Sequence, residues 1–282
     1  MRISTQQMYS NSLSGIQNYQ QSINKVQEEI SNNKKSDLSP YEKSQVMNET
    51  VEISKNSQYM SNIDFLQSKK ETDDTNLESV NNILMKIKDL VTQFKNGSNN
   101  QSDLAAGNEI YQELKNGLVN LLNQKNSNGN YIYSGTTNVK PFNDIYSYNG
   151  NQEINQIMID DGETIELNIP GEKIVDKTFI KNFQDLDNFF SGTSKTISID
   201  NLQSSINNIS LLRTKLGGQL NRLTNKQDAL DNSNTNSKNI VENIQGIDYA
   251  EEITTLNKNQ VALQAMYKIA SSINQTNLFN FL

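Results

Sequence analysis

The sequence predicts a mainly α protein with a small inserted β domain, an elongated helical bundle or coiled coil whose two chain ends pair at one end of the rod. Three observations support this fold class. Apolar residues recur every seven positions along several segments, which places them on one narrow seam of a helix. Hydrophobic residues make up 34% of the 282, too few for a thick globular core. Between about residues 130 and 200 the apolar period changes from seven to two, as in strands.

The first helix is predicted over residues 6–31. The next segment, 32–40, is polar and closes with a proline, so it is predicted to be a connector, because the residue before proline resists helical geometry. A second helical region follows and ends at Asn96-Gly97, where glycine adopts a left-handed conformation at low cost. Its seam consists of Leu77, Val80, Leu84, Ile87, Val91 and Phe94.

A third helix is predicted to begin near Ser102 or Asp103, either of which would cap its first turn, and to stop at Asn128-Gly129. Beyond it, two turn dipeptides lie between alternating apolar residues. Asn149-Gly150 follows Tyr146 and Tyr148, and Asp161-Gly162 lies between two isoleucine-rich runs, so both predict hairpins.

Helix is predicted again from about Asp200, and its seam is an unbroken series of seven-residue steps: Leu202, Ile209, Leu216, Leu223 and Leu230. Basic residues are expected on the solvated flank of this helix: Arg213, Lys215, Arg222 and Lys226. The polar stretch 232–239 is consistent with either a loop or an exposed helical segment. Asp248 and Glu251 resemble a capping box and open the final helix.

This order of elements predicts three parts, with the chain running out along the rod and back. Residues 1–45 and 245–282 form a terminal helical pair that serves assembly. Residues 46–130 and 200–244 form a helical rod domain. Residues 131–199 form a small, outward β-rich domain.

Composition argues against several functional classes. The chain has no histidine and no cysteine, so catalysis would have to rest on carboxylates, lysine, serine or tyrosine, and the protein is predicted not to be an enzyme. A net charge of -7 disfavours nucleic acid and anionic membranes as partners. No apolar run approaches the length of a membrane span, and the N-terminus lacks the apolar core of a cleavable signal peptide. No cofactor, metal site or membrane insertion is expected.

Two clusters invite a functional reading. The run Asp160-Asp161-Gly162-Glu163 could bind calcium, but it lacks the spacing of an EF-hand loop, and a hairpin turn is favoured. Tyrosines could stack on a base or a sugar, but tyrosines that alternate along strands more often fill a half-buried sheet face. These tyrosines are Tyr131, Tyr133, Tyr146 and Tyr148.

The two terminal seams are predicted to form the assembly interface, because chain ends fray unless they are tied down and their outer faces need neighbours. We expect both tips to be mobile in the monomer and to become helical on assembly. On the N-terminal helix the interface residues are Tyr9, Leu13, Ile16, Tyr19, Ile23, Val26 and Ile30. On the C-terminal helix they are Leu256, Val261, Leu263, Met266, Ile269, Ile273, Leu278, Phe279, Phe281 and Leu282.

Several motifs resemble the bacterial hook-associated proteins of the FlgL type, which form the flagellar hook-filament junction and are relatives of flagellin. The opening Met1-Arg2-Ile3-Ser4-Thr5, the segment 129–136 followed by Pro141-Phe142, and the ending 278–282 carry this resemblance from end to end. Further matching residues lie on the returning and final helices: Arg213, Leu216, Gly217, Asn221, Arg222, Leu223, Asp248, Tyr249, Ala250, Glu251, Leu263, Gln264 and Ala265. The connector region departs from the family pattern, since only Ser31, Lys34 or Lys35, and Pro40 fit that pattern, and they fit it loosely.

The resemblance implies export, unfolded and without a cleavable signal peptide, through the flagellar type III apparatus to the extracellular flagellum. It implies a ring of about eleven copies between the first hook-associated protein and flagellin, with a flagellar export chaperone as a further partner. Two other functions stay open. The chain could be flagellin itself, or an adhesin or carbohydrate-binding module on a helical stalk.

Overall fold

The computed structural model describes the backbone of residues 2–96, 101–194 and 196–279, and the side chains of residues 7–95, 102–194 and 196–272. Within these residues the protein is mainly helical with one small sheet, as predicted. The helices are α1 (Arg2–Asn32), α2 (Pro40–Asn96), α3 (Gln101–Leu122), α4 (Lys177–Phe190), α5 (Ile199–Gln245) and α6 (Tyr249–Phe279). The strands are β1 (Gln156–Asp160) and β2 (Glu163–Glu166), which pair antiparallel. None of the described helices is long and apolar enough to cross a membrane.

The chain divides into two compact units. We call residues 1–54 with 233–282 the terminal unit and residues 55–232 the central unit. Helices α2 and α5 run through both ranges without a break, so residues 232–239 are helical and the loop alternative is wrong. The three-part division expected from the sequence stays a prediction.

The core of the central unit is built on the two predicted seams. On α2, Leu77, Val80, Leu84, Ile87 and Val91 are completely buried, and Phe94 packs against them. All five members of the α5 series are buried as well. The two helices run antiparallel there, since Arg213 pairs with Asp74 at 2.9 Å and Lys88 donates to Gln203 at 2.7 Å.

Helix α3 ends at Leu122, earlier than the predicted stop at Asn128-Gly129. Hydrogen bonds of the Asn123 side chain end the helix. Its amide donates to the carbonyls of Val119 and Phe142, and its oxygen accepts from the Phe142 amide at 2.9 Å. Gly129, with φ 80°, instead lies in a tight turn that closes the isolated bridge between Lys125 and Tyr131.

The described part of the segment predicted to be β-rich contains one hairpin, one short 3₁₀ helix (Gly171–Lys173) and one α-helix. The hairpin at Asp161-Gly162 is confirmed, and Gly162 has φ 72°. The prediction of a hairpin at Asn149-Gly150 is wrong, because no strand forms there. Instead, the amide of Asn149 donates to the carbonyl of Pro141 at 2.8 Å.

Helix α4 was missed by the search for alternating residues. Asp176 caps it by accepting the amide of Phe179 at 2.7 Å. Its inward face follows helical spacing, not alternation, and consists of Phe179, Phe183, Leu186 and Phe190, all buried. The ring of Phe190 stacks on that of Tyr111 at 4.8 Å, which ties α4 to α3.

Candidate assembly surface

Helices α1 and α6 pair antiparallel in the terminal unit. A Cβ placed on Gly15 would lie 2.4 Å from Met266 Cε, so the pair is closely packed there. Gln20 donates to the Tyr267 hydroxyl at 3.1 Å. The antiparallel alignment of α1 and α6 continues into the connector, where the amide of Lys35 donates to the carbonyl of Gln245 at 2.8 Å.

Side-chain hydrogen bonds cap the start of α2 and the start of α6. Ser39 and Glu42 form a reciprocal capping box at the start of α2, with Pro40 at the first helical position. Asp248 accepts the amides of Ala250 and Glu251, as expected for the start of α6. The Glu29 carboxylate, on α1, accepts hydrogen bonds from both the amide and the hydroxyl of Ser36 in the connector. Local hydrogen bonds therefore define the starts of α2 and α6.

The predicted interface residues fall into three groups. Half-buried or buried residues lie along the paired sides of α1 and α6: Ile16, Tyr19, Ile23, Val26, Ile30, Leu256, Leu263 and Met266. Exposed residues are Tyr9, Leu13, Val261 and Ile269. Phe281 and Leu282 lie outside the described residues, and the side chains of Ile273, Leu278 and Phe279 lie outside the described side chains.

Helix α6 carries apolar residues on two opposite sides. Leu256, Leu263 and Met266 are half-buried on one side, while Val261, Ala265 and Ile269 follow four-residue spacing on the other. Val261 is 66% exposed and Ile269 is 49% exposed. The second stripe borders a shallow surface groove of about 490 Å³ lined by Thr254, Asn257, Lys258, Val261, Ala262 and Ala265. A helix that is apolar on both sides is normally buried on both sides.

The terminal unit has little core of its own. Among its described side chains, Val26 at 6% exposure is the one apolar residue that is buried. Sequence reasoning did not place further exposed apolar residues of this unit on the candidate surface: Tyr41, Met47, Val51, Tyr249, Ile253 and Tyr267. Tyr249 continues the seven-residue series of Leu256 and Leu263 toward the start of α6.

Helix α1 differs from α6 on its outer side. There its residues are polar and exposed, namely Ser10, Asn11, Ser14, Gln17, Asn18 and Gln21. The candidate assembly surface therefore consists of the outer α6 stripe, formed by Val261, Ala265 and Ile269, together with Tyr9 and Leu13 at the start of α1.

The carboxylates of the acidic run at residues 160–163 form ion pairs with basic side chains. Each carboxylate of the hairpin holds a basic side chain from α2 or α5: Asp160 pairs with Lys226, Asp161 with Lys55, Glu163 with Arg222 and Glu166 with Lys215. These pairs lay the hairpin across the two helices, where Ile159 and Ile165 are buried in a small core. No group of side chains in the described part of the chain is arranged to hold a metal ion.

We expect the hairpin to depend on charge. Hydrogen bonds from the basic partners hold the pKa of Asp160, Asp161, Glu163 and Glu166 below their ordinary values. Stability gained in this way is present above the ordinary carboxyl pKa, near 4, and is lost as the pH falls through the lower folded values. Replacing Arg222 and Lys226 by alanine should therefore lower the free energy of unfolding at pH 7 by about 1–2 kcal/mol in low salt.

Urea unfolding followed by circular dichroism checks this expectation. The difference from wild type should shrink in 1 M salt, and it should also shrink as the pH falls below the ordinary carboxyl pKa and through the lower folded values. Lys86→Ala with Lys181→Ala is the matched control, because both lysines are exposed and make no ion pair with a described residue. Equal losses in the two double variants would show that the hairpin pairs contribute nothing specific.

The tyrosine cluster packs within the protein. Tyr133 is completely buried, and Tyr131, Tyr146 and Tyr148 are half-buried. The Tyr148 ring lies 5.3 Å from that of Phe142, and its hydroxyl donates to the carbonyl of Asn151 at 2.7 Å. These residues lie on loops and not on a sheet face, so the predicted packing role is right while the predicted strands are wrong.

Two family models match the chain. The bacterial flagellin N-terminal helical region matches residues 3–138, and the bacterial flagellin C-terminal helical region matches residues 199–282. Both matches lie on helix-rich segments that flank the hairpin and α4.

Full-length relatives give a consistent result. The flagellar hook-associated protein 3 of Salmonella typhimurium is 25% identical over 314 aligned positions, which cover 99% of each chain. A flagellin from Halalkalibacterium halodurans is 24% identical over 199 positions, 71% of this chain and 67% of that protein.

A solved structure shares the fold. The structure of a flagellar hook-associated protein from Vibrio parahaemolyticus has a TM-score of 0.67 and 21% identity, covering 73% of this chain and 98% of that one. Since the two family models describe the two ends of one family and together match more than half of the residues, the chain belongs to the flagellin-related family of flagellar structural proteins and resembles its hook-associated members.

Proposed function

We propose that the protein forms a ring of about eleven copies at the junction between the hook and the filament of the bacterial flagellum. There it joins the first hook-associated protein to flagellin. The match to hook-associated protein 3 over 99% of both chains supports this place in the flagellum. The role is structural, with no catalytic step.

One observation carries the proposal: α6 has an apolar stripe on the side opposite α1. A single copy leaves Val261 and Ile269 in water, and burying one such side chain gains about 1.5–3 kcal/mol. Neighbouring copies around a ring would each cover the stripe of the next. Repeated contacts of this kind would produce a joint that resists torque.

The parts of the chain fit this arrangement. We assign assembly to the terminal helical pair, residues 1–45 and 245–282, and the rod to residues 46–130 and 200–244. Residues 131–199 would face outward. Export to the outside of the cell would need no cleavable signal peptide, and an export chaperone would cover the apolar C-terminal helix before assembly.

Deleting the gene tests the junction role. We expect hooks without filaments and flagellin released into the medium, and we expect the intact gene to restore filaments. Normal filaments on the deleted strain would contradict the proposal.

Flagellin is the second candidate, favoured by the 24% identity to the Halalkalibacterium halodurans flagellin. Adding purified protein to filament fragments separates the two functions. A junction protein adds a short cap and stops, whereas a flagellin extends the fragments by micrometres.

A further inference from the structure

Asparagine-glycine pairs are the points of the chain most open to spontaneous deamidation. In that reaction the amide nitrogen of the glycine attacks the side-chain carbonyl carbon of the asparagine, and glycine has no side chain to shield its nitrogen. A fourth pair, Asn96-Gly97, lies partly outside the described residues. The three described pairs are Asn116-Gly117, Asn128-Gly129 and Asn149-Gly150, and all three asparagines are exposed, so exposure does not distinguish them.

Two of the pairs are protected by hydrogen bonds from the glycine amide. Gly117 lies inside α3, where each amide donates to the carbonyl four residues earlier. Gly129 lies in a tight turn, and its amide donates to the carbonyl of Asn126 at 2.9 Å. The side-chain oxygen of Asn126 fixes that turn by accepting the amides of Asn128 and Asn130, at 3.0 and 3.1 Å. An amide that already donates a hydrogen bond is harder to deprotonate, so attack by either glycine is slow.

The pair at Asn149-Gly150 lacks this protection. Neither the amide of Gly150 nor the side chain of Asn149 forms a hydrogen bond with a described residue. The pair also lies outside the described helices and strands. Close packing requires the glycine, because a Cβ on Gly150 would lie 2.4 Å from the Tyr148 hydroxyl and 2.7 Å from the carbonyl oxygen of Ser134. The fold therefore places a glycine after Asn149 and leaves its amide free to react.

We propose that Asn149 is a site of spontaneous deamidation in the folded protein. Hydroxide removes the proton of the Gly150 amide, and the nitrogen attacks Cγ of Asn149. A new C–N bond closes a succinimide ring while the C–N bond of the side-chain amide breaks and ammonia leaves. Water then opens the ring. Attack of water at Cγ gives aspartate, whereas attack at the main-chain carbonyl gives isoaspartate, in which the main chain runs through Cγ.

The modification would act on the loop that follows Asn149. The amide of Asn151 donates to the carbonyl of Ser134 at 3.2 Å, and its side-chain oxygen accepts the amide of Thr136 at 2.8 Å. Isoaspartate adds one carbon atom to the main chain just before these bonds, and both products add a negative charge. We therefore expect the isoaspartate form to loosen the contact between residues 134–136 and Asn151.

Ageing the full chain at mildly alkaline pH, followed by mass spectrometry of its peptides, tests the proposal. Each site is compared with itself in protein unfolded by guanidinium, where all three glycine amides are free. Folding should leave the rate at Asn149 nearly unchanged and lower the rates at Asn116 and Asn128 by about tenfold or more. If folding slowed Asn149 as much as the other two, or if Asn128 reacted as fast as Asn149 in the folded protein, the proposal would be overturned.

Two variants check the assignment and its physical cause. Asn149→Gln should remove the signal, because a glutamine side chain closes a larger ring far more slowly. Asn126→Ala removes the acceptor that fixes the other turn, so Asn128 should react faster while Asn149 keeps its rate. A signal that persists in Asn149→Gln would place the reaction at another residue. An unchanged rate at Asn128 in Asn126→Ala would contradict the protection by hydrogen bonds on which the proposal rests.

Discussion

Replacing Val261 and Ile269 together by glutamate is expected to abolish filament attachment while leaving the isolated protein unchanged. Both side chains are about half exposed or more in a single copy, so two carboxylates there cost little. In the ring, each carboxylate would be buried against an apolar neighbour without a partner. The cost is roughly 3 kcal/mol or more per contact, over about 100-fold in its equilibrium constant.

Swimming and electron microscopy of complemented cells measure the effect, and circular dichroism of purified protein checks the fold. The matched control is Gln17→Glu with Gln21→Glu, which adds the same charge to the polar outer side of α1. We expect filaments on the control cells and bare hooks on the others. Normal filaments with the α6 variant would mean that its outer stripe stays in water after assembly.

Removing the Asp187 carboxylate is expected to destabilise the central unit more than any other single charge change that we consider. Its oxygens accept from the Tyr111 hydroxyl at 2.7 Å, from Lys115 Nζ at 2.8 Å and from the Tyr146 hydroxyl. Lys115 Nζ also lies 4.7 Å from the centre of the Tyr146 ring. The carboxylate therefore joins α3, α4 and the loop at Tyr146.

Asp187→Ala removes the charged acceptor shared by an ammonium and two hydroxyls and leaves the two hydroxyls only long contacts with the Phe183 carbonyl, which should cost about 2–4 kcal/mol of unfolding free energy. Urea unfolding at pH 7 measures this loss, with Asp185→Ala as the control on the same helix. Burial alone would raise the pKa of Asp187, but hydrogen bonds from Lys115, Tyr146 and Tyr111 outweigh it and lower the pKa. The difference between wild type and Asp187→Ala should thus persist above pH 4 and fade below it. A loss of under 0.5 kcal/mol would show that this network does not hold the unit together.

Long periodic segments could be predicted from the sequence because their pattern and their burial have the same cause. The seams of α2 and α5 repeat over many turns, so local errors average out, and every predicted α5 seam residue is buried. The basic flank of α5 was also predicted, but not that Arg213, Lys215, Arg222 and Lys226 would each meet a carboxylate. Those partners lie far from α5 in the sequence, so the spacing of residues along α5 does not reveal them.

The errors lie where contacts with distant residues decide local structure. Asn123 ends α3 because its amide reaches Phe142, and Asn149 returns to Pro141 in place of a hairpin. Gly135, with φ 77°, is required because a Cβ there would lie 2.0 Å from Asn151 Oδ1. Helix α4 was the avoidable error, since its Asp176 cap and helical apolar spacing are visible in the sequence. On the candidate surface, Val261 and Ile269 were predicted to lie on the outer face of the terminal pair, and both are exposed in the structure.

We propose that the outer stripe of α6 is in water in one copy and covered in the assembled flagellum. Because the chain has no cysteine, Val261→Cys creates a single reactive site. Its rate of alkylation by a maleimide, measured on monomer and on native flagella, tests the claim most directly, with Lys140→Cys on an exposed loop as the reference. We expect labelling at position 261 to slow at least tenfold on assembly while labelling of the reference does not change; equal rates at position 261 in the two states would show that the stripe stays in water.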